Sequence, residues 1–205
     1  MPNPNIAVST ELDAVNQILS SVGQAAVTTL DMQNPEVFAV VTALRNTDKQ
    51  VQSEGWSFNS ISGKKFSPDA ASKKIQVPID VLQMYVNKEK HYDKYNIVRK
   101  EGYLYDKYSC SHEFEEDIYM DVIYLRAFGD LPPAFQAHII AKAARISAIR
   151  LVGSSELVQL LAIDEEMTKT AMLDYETKQG DYSIFGFKDG QNYYNSYQPF
   201  QTLAR

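Results

Sequence analysis

The chain has little of what small extracellular or catalytic domains commonly depend on. Its 205 residues include a single cysteine, Cys110, so an internal disulfide and a four-cysteine zinc site are both excluded. A lone thiol suits a reducing compartment such as the cytosol. No stretch approaches about 18 uninterrupted apolar residues, so no membrane span or anchor is expected. The opening Met1-Pro2-Asn3-Pro4-Asn5-Ile6 has neither a basic region nor an apolar signal core, which predicts a soluble chain made in the cytosol. Excess positive charge is missing too: 20 Lys and Arg stand against 26 Asp and Glu, a formal charge of -6. That balance argues against gripping nucleic acid as the main task.

Several catalytic signatures are also absent. A phosphate-cradling loop needs close glycines between a strand and a helix. Gly186 and Gly190 have no helical pattern after them, and there is no Walker-type lysine. His112-Glu113 continues as Phe114-Glu115-Glu116, so the second histidine of a zinc-protease helix is lacking. The acidic run Glu113, Glu115, Glu116, Asp117 has no glycine to turn a calcium loop and reads as a solvated face. Cys110 and His112 are the one pair suited to nucleophilic chemistry, as a small thiol-dependent hydrolase. No third group supports them, and Ser109, Ser111 and Glu113 look like the polar tip of a β connection. Lys64, Lys65, Lys73 and Lys74 form the best nucleic-acid candidate, but only Phe66 lies near as a stacking aromatic. His138 reads as packing on a helix, and His91 as part of a polar loop. No catalytic residue, metal site or cofactor is assigned.

What remains is ordinary globular material, 44% hydrophobic and 22% charged, enough for one full core or two small ones. Thr10 caps a first helix whose stripe is Leu12, Val15, Leu19 and Val22, closed by Gly23. Asn34-Pro35-Glu36 starts a second, with Val37, Val40, Val41, Leu44 and Val51 on one face and Gly55 at its end. Asp48 interrupts that face. From Trp56 to Phe128 short β-rich runs replace the helical period. Val81–Val86 reads as a strand, Asn96–Tyr105 as a hairpin and Ile118–Leu125 as a half-buried strand. After Leu131-Pro132-Pro133 a third helix carries Phe135, Ile139, Ala143, Ile146, Ile149 and Val152. Gly153-Ser154 breaks it, and a fourth follows with Leu157, Leu160, Leu161, Met167, Ala171 and Tyr175.

The expected fold is therefore α+β. Residues 1–55 and 129–180 form a four-helix bundle, with an antiparallel β insert at 56–128 between the second and third helices. An extended C-terminal arm, 181–205, contains Tyr182, Phe185, Phe187, Tyr193, Tyr194, Tyr197 and Phe200. It has too much ring surface for a solvated tail. It either folds back on the bundle or docks on another chain, since aromatic rings give large contact area at low entropy cost.

Several segments in order resemble one known family. They are Glu11-Leu12-Asp13-Ala14-Val15-Asn16-Gln17-Ile18-Leu19-Ser20-Ser21-Val22-Gly23 with Val27-Thr28-Thr29-Leu30, then Gln52-Ser53-Glu54-Gly55-Trp56-Ser57-Phe58-Asn59. Gly102-Tyr103-Leu104-Tyr105-Asp106 follows, then Leu125-Arg126-Ala127-Phe128-Gly129-Asp130-Leu131-Pro132 and Lys142-Ala143-Ala144-Arg145. Together they resemble the tail tubular protein A, or head-to-tail adaptor, family of short-tailed double-stranded DNA phages. The likeness is thin through residues 60–100 and along 181–205. The resemblance implies a non-enzymatic virion protein, made in the host cytoplasm and placed in the tail below the portal vertex. It implies a twelve-fold ring of copies joining the portal to the nozzle protein, with tail fibres nearby. Double-stranded DNA passes through its channel during ejection without specific binding, and the C-terminal arm docks on the portal.

Overall fold

The computed structural model describes residues 10–180, apart from 89, 92 and 93. Four helices carry the frame: α1 (Glu11–Ser21), α2 (Pro35–Ser53), α3 (Pro133–Leu151) and α4 (Ser155–Gly180). Local chemistry sets their ends. Thr10 and Asp13 form a reciprocal capping box on α1, the Asp13 amide donating to Thr10 Oγ1 at 3.2 Å and the Thr10 amide to Asp13 Oδ2 at 3.0 Å. Asn34 accepts from the Glu36 amide at 2.9 Å, and Pro35 takes the first turn of α2, where its missing N–H costs nothing. Gly153, at φ +71°, lets the chain reverse between α3 and α4.

The insert has five strands: β1 (Ser60–Phe66), β2 (Val81–Val86), β3 (Ile97–Lys100), β4 (Tyr103–Asp106) and β5 (Ile118–Tyr124). β5 is the centre of an antiparallel sheet ordered β1-β5-β2, while β3 and β4 pair as a separate hairpin. The alternation read from the sequence is realised on β5. Ile118, Met120, Val122 and Tyr124 are buried and the residues between them are half-exposed. β1 has no such signal, because only Phe66 of its seven residues is buried. It is an edge strand whose pairing shifts register at Ser62-Gly63, where Asp121 Oδ1 accepts from Ser62 Oγ at 2.6 Å and the Gly63 amide at 2.8 Å.

Two hydrophobic cores result. The larger joins Val15, Ile18 and Leu19 of α1, Val40, Val41 and Leu44 of α2, Phe135 and Ile139 of α3, and Leu161 and Met172 of α4. The smaller lies within the insert around Leu104, Ile118 and Met120. The expected bundle with its β insert is thus present. The stripes differ in detail. Leu160 and Met167 on α4, and Ile149 and Val152 at the end of α3, lie on the surface. Leu161 of the expected stripe is buried, and so are Met172 and the carboxylate-bearing Glu176, which lie outside it. α4 is apolar on two sides, so its sequence pattern merges a buried stripe with an exposed one.

The chain crosses between bundle and insert twice, and a polar joint clamps both crossings. Gln52 and Asn59 are fully buried. Gln52 Oε1 accepts from the Arg126 amide at 2.8 Å and its Nε2 donates to the Arg126 carbonyl at 3.0 Å. Asn59 Nδ2 donates to the Gln52 carbonyl at 2.9 Å and the Tyr124 carbonyl at 3.0 Å, while its Oδ1 accepts from the Trp56 amide at 2.8 Å. Trp56 packs edge-on against Phe135 at 5.1 Å between ring centres. Gly55 adopts φ +82°, and a Cβ there would stand 2.6 Å from Ile123 Cδ1. Glu176 ties the end of α4 to the same place by accepting from the amide and hydroxyl of Ser57, both at 2.9 Å.

Asp48 reaches this joint through Gln52 Nε2 at 2.8 Å. Burial pushes its carboxyl up to about 6; the Gln52 hydrogen bond opposes the rise and the negative charge of Glu11 adds to it. The folded state therefore holds a proton that the unfolded chain releases nearer 3.8. Stability from this group is gained as pH falls from 6 toward 4 and is lost again as pH rises through 6. Asp48→Asn, which keeps the acceptor for Gln52, is expected to raise stability at pH 7.5 by about 1–2 kcal/mol, allowing for partial exposure. It should also flatten that segment of the stability–pH curve measured by urea unfolding. Asn59→Ala, which leaves the Trp56 amide without its acceptor and removes a donor from the Gln52 and Tyr124 carbonyls, is expected to lower the unfolding free energy by about 2–3 kcal/mol in the same assay.

Candidate interaction surfaces

The residues suited to catalysis do not assemble. Cys110 lies at the exposed tip beyond β4, at φ +52°, with Sγ 3.6 Å from the Lys107 carbonyl. His112 turns the other way: its Nδ1 sits 3.0 Å from the Leu104 carbonyl and its ring stacks edge-on against Tyr105 at 4.9 Å. Tyr105, not His112, is the titratable neighbour of the thiol, and hydrogen bonding to Cys110 raises its phenol pKa. A thiol activated by His112 would need an imidazole nitrogen hydrogen-bonded to the sulfur, and among the described residues the partners of the sulfur are the Lys107 carbonyl and Tyr105 instead. No group of three or more His, Cys, Asp or Glu side chains able to hold a metal occurs among the described residues.

The acidic and basic runs, which look independent in the sequence, meet in space. Lys65 Nζ lies 2.7 Å from Asp117 Oδ2, Lys73 Nζ 3.8 Å from Glu115, and Lys94 Nζ 2.6 Å from Glu116. Tyr95 donates its hydroxyl to the same Glu116 oxygen at 2.7 Å. Hydrogen bonds from Lys65 and Lys94 hold the Asp117 and Glu116 carboxyls below their ordinary range. Two of the four lysines of the nucleic-acid candidate are thus spent on neighbouring carboxylates. Lys74 is turned over the Tyr103 ring at 5.8 Å. A recess of about 300 Å³ lies beside these pairs, lined by Lys94, Tyr95, Asp106 and the Glu113–Glu116 run. Lys94 and Glu116 of its walls are paired with each other, and Asp106 is held by the Asn96, Tyr108 and Ser109 amides.

The histidines are structural. His91, read from the sequence as part of a polar loop, is buried. Its Nε2 accepts from the Tyr119 amide at 2.9 Å, and its ring packs between Tyr95 and Tyr119. It anchors the β2–β3 connection to the edge of β5. The sequence signal for this was weak, because the contact is long-range and the flanking residues are charged. His138 is buried on α3 with Nδ1 unpartnered, and burial lowers its pKa below 6.5. Glu165 on α4 forms a two-pronged pair with Arg145 of α3.

What the described surface does offer is apolar contact area. Ile79 in the loop before β2 is 94% exposed. On α4, Leu160, Ile163 and Met167 are 63%, 58% and 67% exposed, and on α2 Phe38 is 51% exposed. Large apolar side chains grouped in this way mark contact surfaces rather than reaction sites. The aromatic arm, Tyr182, Phe185, Phe187, Tyr193, Tyr194, Tyr197 and Phe200, lies outside the described residues. No described helix is long and apolar enough to cross a membrane.

Comparison with known proteins agrees in kind. A family model described as "Tail tubular protein" matches residues 12–182. Among curated relatives, Tail tubular protein A of Klebsiella phage KP34 is 28% identical over 122 residues, 60% of this chain and 62% of that protein. The match thus spans less than two thirds of that relative's length.

The lack of a hydrogen bond between Cys110 and His112 has a direct consequence. Alkylation of Cys110 near neutral pH is expected to proceed at the slow rate of an ordinary free thiol. His112→Ala should leave that rate unchanged. Fast alkylation that collapses in His112→Ala would restore the thiol-enzyme reading.

Proposed function

We propose that this chain, which belongs to the tail tubular protein family, is a ring-forming head-to-tail adaptor. In this reading copies of the chain form a ring, a dodecamer, between the portal and the tail nozzle protein, with tail fibres attached nearby. Double-stranded DNA passes through the channel without being specifically bound, and the protein turns over no substrate. The observation that carries the reading is the family match, which runs through both helical pairs and the insert rather than through one motif. The Tail tubular protein A of Klebsiella phage KP34 supports placing it in the tail.

The physical character of the chain fits such a part. Head-to-tail rings need two different faces on each subunit, and a bundle with a projecting insert supplies distinct surfaces. Residues 56–128 contain eleven basic and eleven acidic side chains. The formal charge of -6 therefore belongs to the helical remainder. Negative walls repel phosphate and keep DNA sliding, whereas clustered free lysines retard it. The arm, with seven aromatic side chains between Tyr182 and Phe200, supplies rings suited to docking on the portal.

Deletion of residues 181–205 is expected to leave the far-UV spectrum and melting of the bundle intact while abolishing capture by purified portal protein. Undiminished portal capture by the truncated chain would remove the arm from the model. Failure of the full chain to bind either portal or nozzle would remove the adaptor reading itself.

A further inference from the structure

We infer that the outer stripe of α4 is the seam between neighbouring copies of this chain, and that it receives the outer stripe of the neighbour's α2. The inference rests on the ring reading above and adds which surfaces meet. α3 packs against all three other helices, and α4 makes its main packing with α3 alone. α4 is thus an edge helix with one side committed to the core through Leu161 and Met172. At helical spacing, Glu156, Leu160, Ile163, Met167 and Thr170 lie along its other side, and all five are exposed. An apolar stripe of this kind on an edge helix costs free energy while it faces water.

The occupant is identified by pattern and charge. On α2, Phe38, Thr42, Arg45 and Lys49 fall on one outward stripe by the same spacing. Arg45 and Lys49 are the only cationic side chains among residues 10–55; Arg45 is held by Glu11 of its own chain at 2.6 Å, so Lys49 carries the free charge of the stripe. Phe38 and Lys49 are eleven residues apart, and so are Met167 and Glu156. Antiparallel helices in that register set Phe38 against Met167, Thr42 against Ile163, Arg45 beside Leu160 and Lys49 against Glu156. Neither Lys49 nor Glu156 has an ion-pair partner among the described residues, so each is available to the other. The two stripes are on different helices, so the contact is heterologous. Repetition of one heterologous contact closes into a ring when the rotation allows.

The test uses the full chain with Cys110→Ser, Thr42→Cys and Ile163→Cys, treated with a short bis-maleimide at high protein concentration. A ladder of covalent dimers, trimers and larger species is expected. Each chain with only one introduced cysteine should give no ladder. Lys49→Glu added to the pair should reduce the laddered fraction by about fivefold, and Glu156→Lys added to that should restore it. A double-cysteine chain that melts normally yet gives no ladder overturns the seam, as does cross-linking through Ile163→Cys alone, which would mean α4 packs on its own symmetry copy. Should the double-cysteine chain fail to fold, the charge reversal and its rescue are read by sedimentation in the otherwise native chain, and loss without rescue overturns the proposal. Portal capture by the same chains separates the two ideas: capture without a ladder sinks the seam only, and a ladder without capture sinks the adaptor reading only.

Discussion

Everything in this molecule hangs from the polar joint of Gln52 and Asn59. A chain that leaves a helical bundle, builds a sheet and returns must bury backbone groups at both crossings, and buried unpaired amides and carbonyls are costly. Here one primary amide on each side of the outgoing strand serves both crossings. Gln52 pairs both polar groups of Arg126, and Asn59 bridges the Gln52 and Tyr124 carbonyls. The two cores share few apolar contacts, so their relative placement rests on this amide pair, on the Trp56–Phe135 contact and on the Ser57–Glu176 hydrogen bonds. Because α4 is held through Glu176, a disturbance at the joint is felt by three helices and the sheet together.

This explains where the recognisable residues lie. Gln52-Ser53-Glu54-Gly55-Trp56-Ser57-Phe58-Asn59 and Leu125-Arg126-Ala127-Phe128 are the two crossings themselves. Four of these positions have a clear physical reason: Gln52 and Asn59 for paired amides, Gly55 for positive φ beside Ile123, Trp56 for a ring against Phe135. These requirements are local and chemical, so they leave a readable trace. The helices were legible for the same reason, since caps such as Thr10 and Asn34 and glycines such as Gly153 act within a few residues. β1 was not, because an edge strand with one buried residue has no period to read. Nor were the ion pairs of Lys65 and Lys94, which join residues far apart in the chain. The two-sided α4 blurred its own stripe, because an exposed apolar face and a buried one look alike without the fold.

The function proposed above is distributed over surfaces, and such a function leaves little local trace in a sequence. A catalytic site concentrates unlike groups within a few ångströms, and its cost in pKa or strain is visible locally. Here the pair that looked most chemical, Cys110 and His112, dissolves into a tip and a backbone contact. The group whose pKa shift is largest in effect, Asp48, belongs to the joint and not to any cleft. Perturbed titration therefore marks the mechanical centre of the molecule rather than a reaction centre.

The division of charge follows the same logic. Within the insert the charges sum to zero, and Lys65, Lys73 and Lys94 are paired with Asp117, Glu115 and Glu116; Ile79 and Tyr108 add exposed apolar surface. The helical part keeps its negative excess and has only two cations, Arg45 and Lys49, in its first two helices. The ring proposed above, with its channel for a polyanion, would be served by that arrangement. Uniform negative charge would make neighbours repel, and uniform positive charge would hold the DNA. On the first two helices Glu11 holds Arg45, which leaves Lys49 as the cation of that stripe without an ion pair among the described residues, while on α3 and α4 Glu165 and Asp174 hold Arg145 and Lys178.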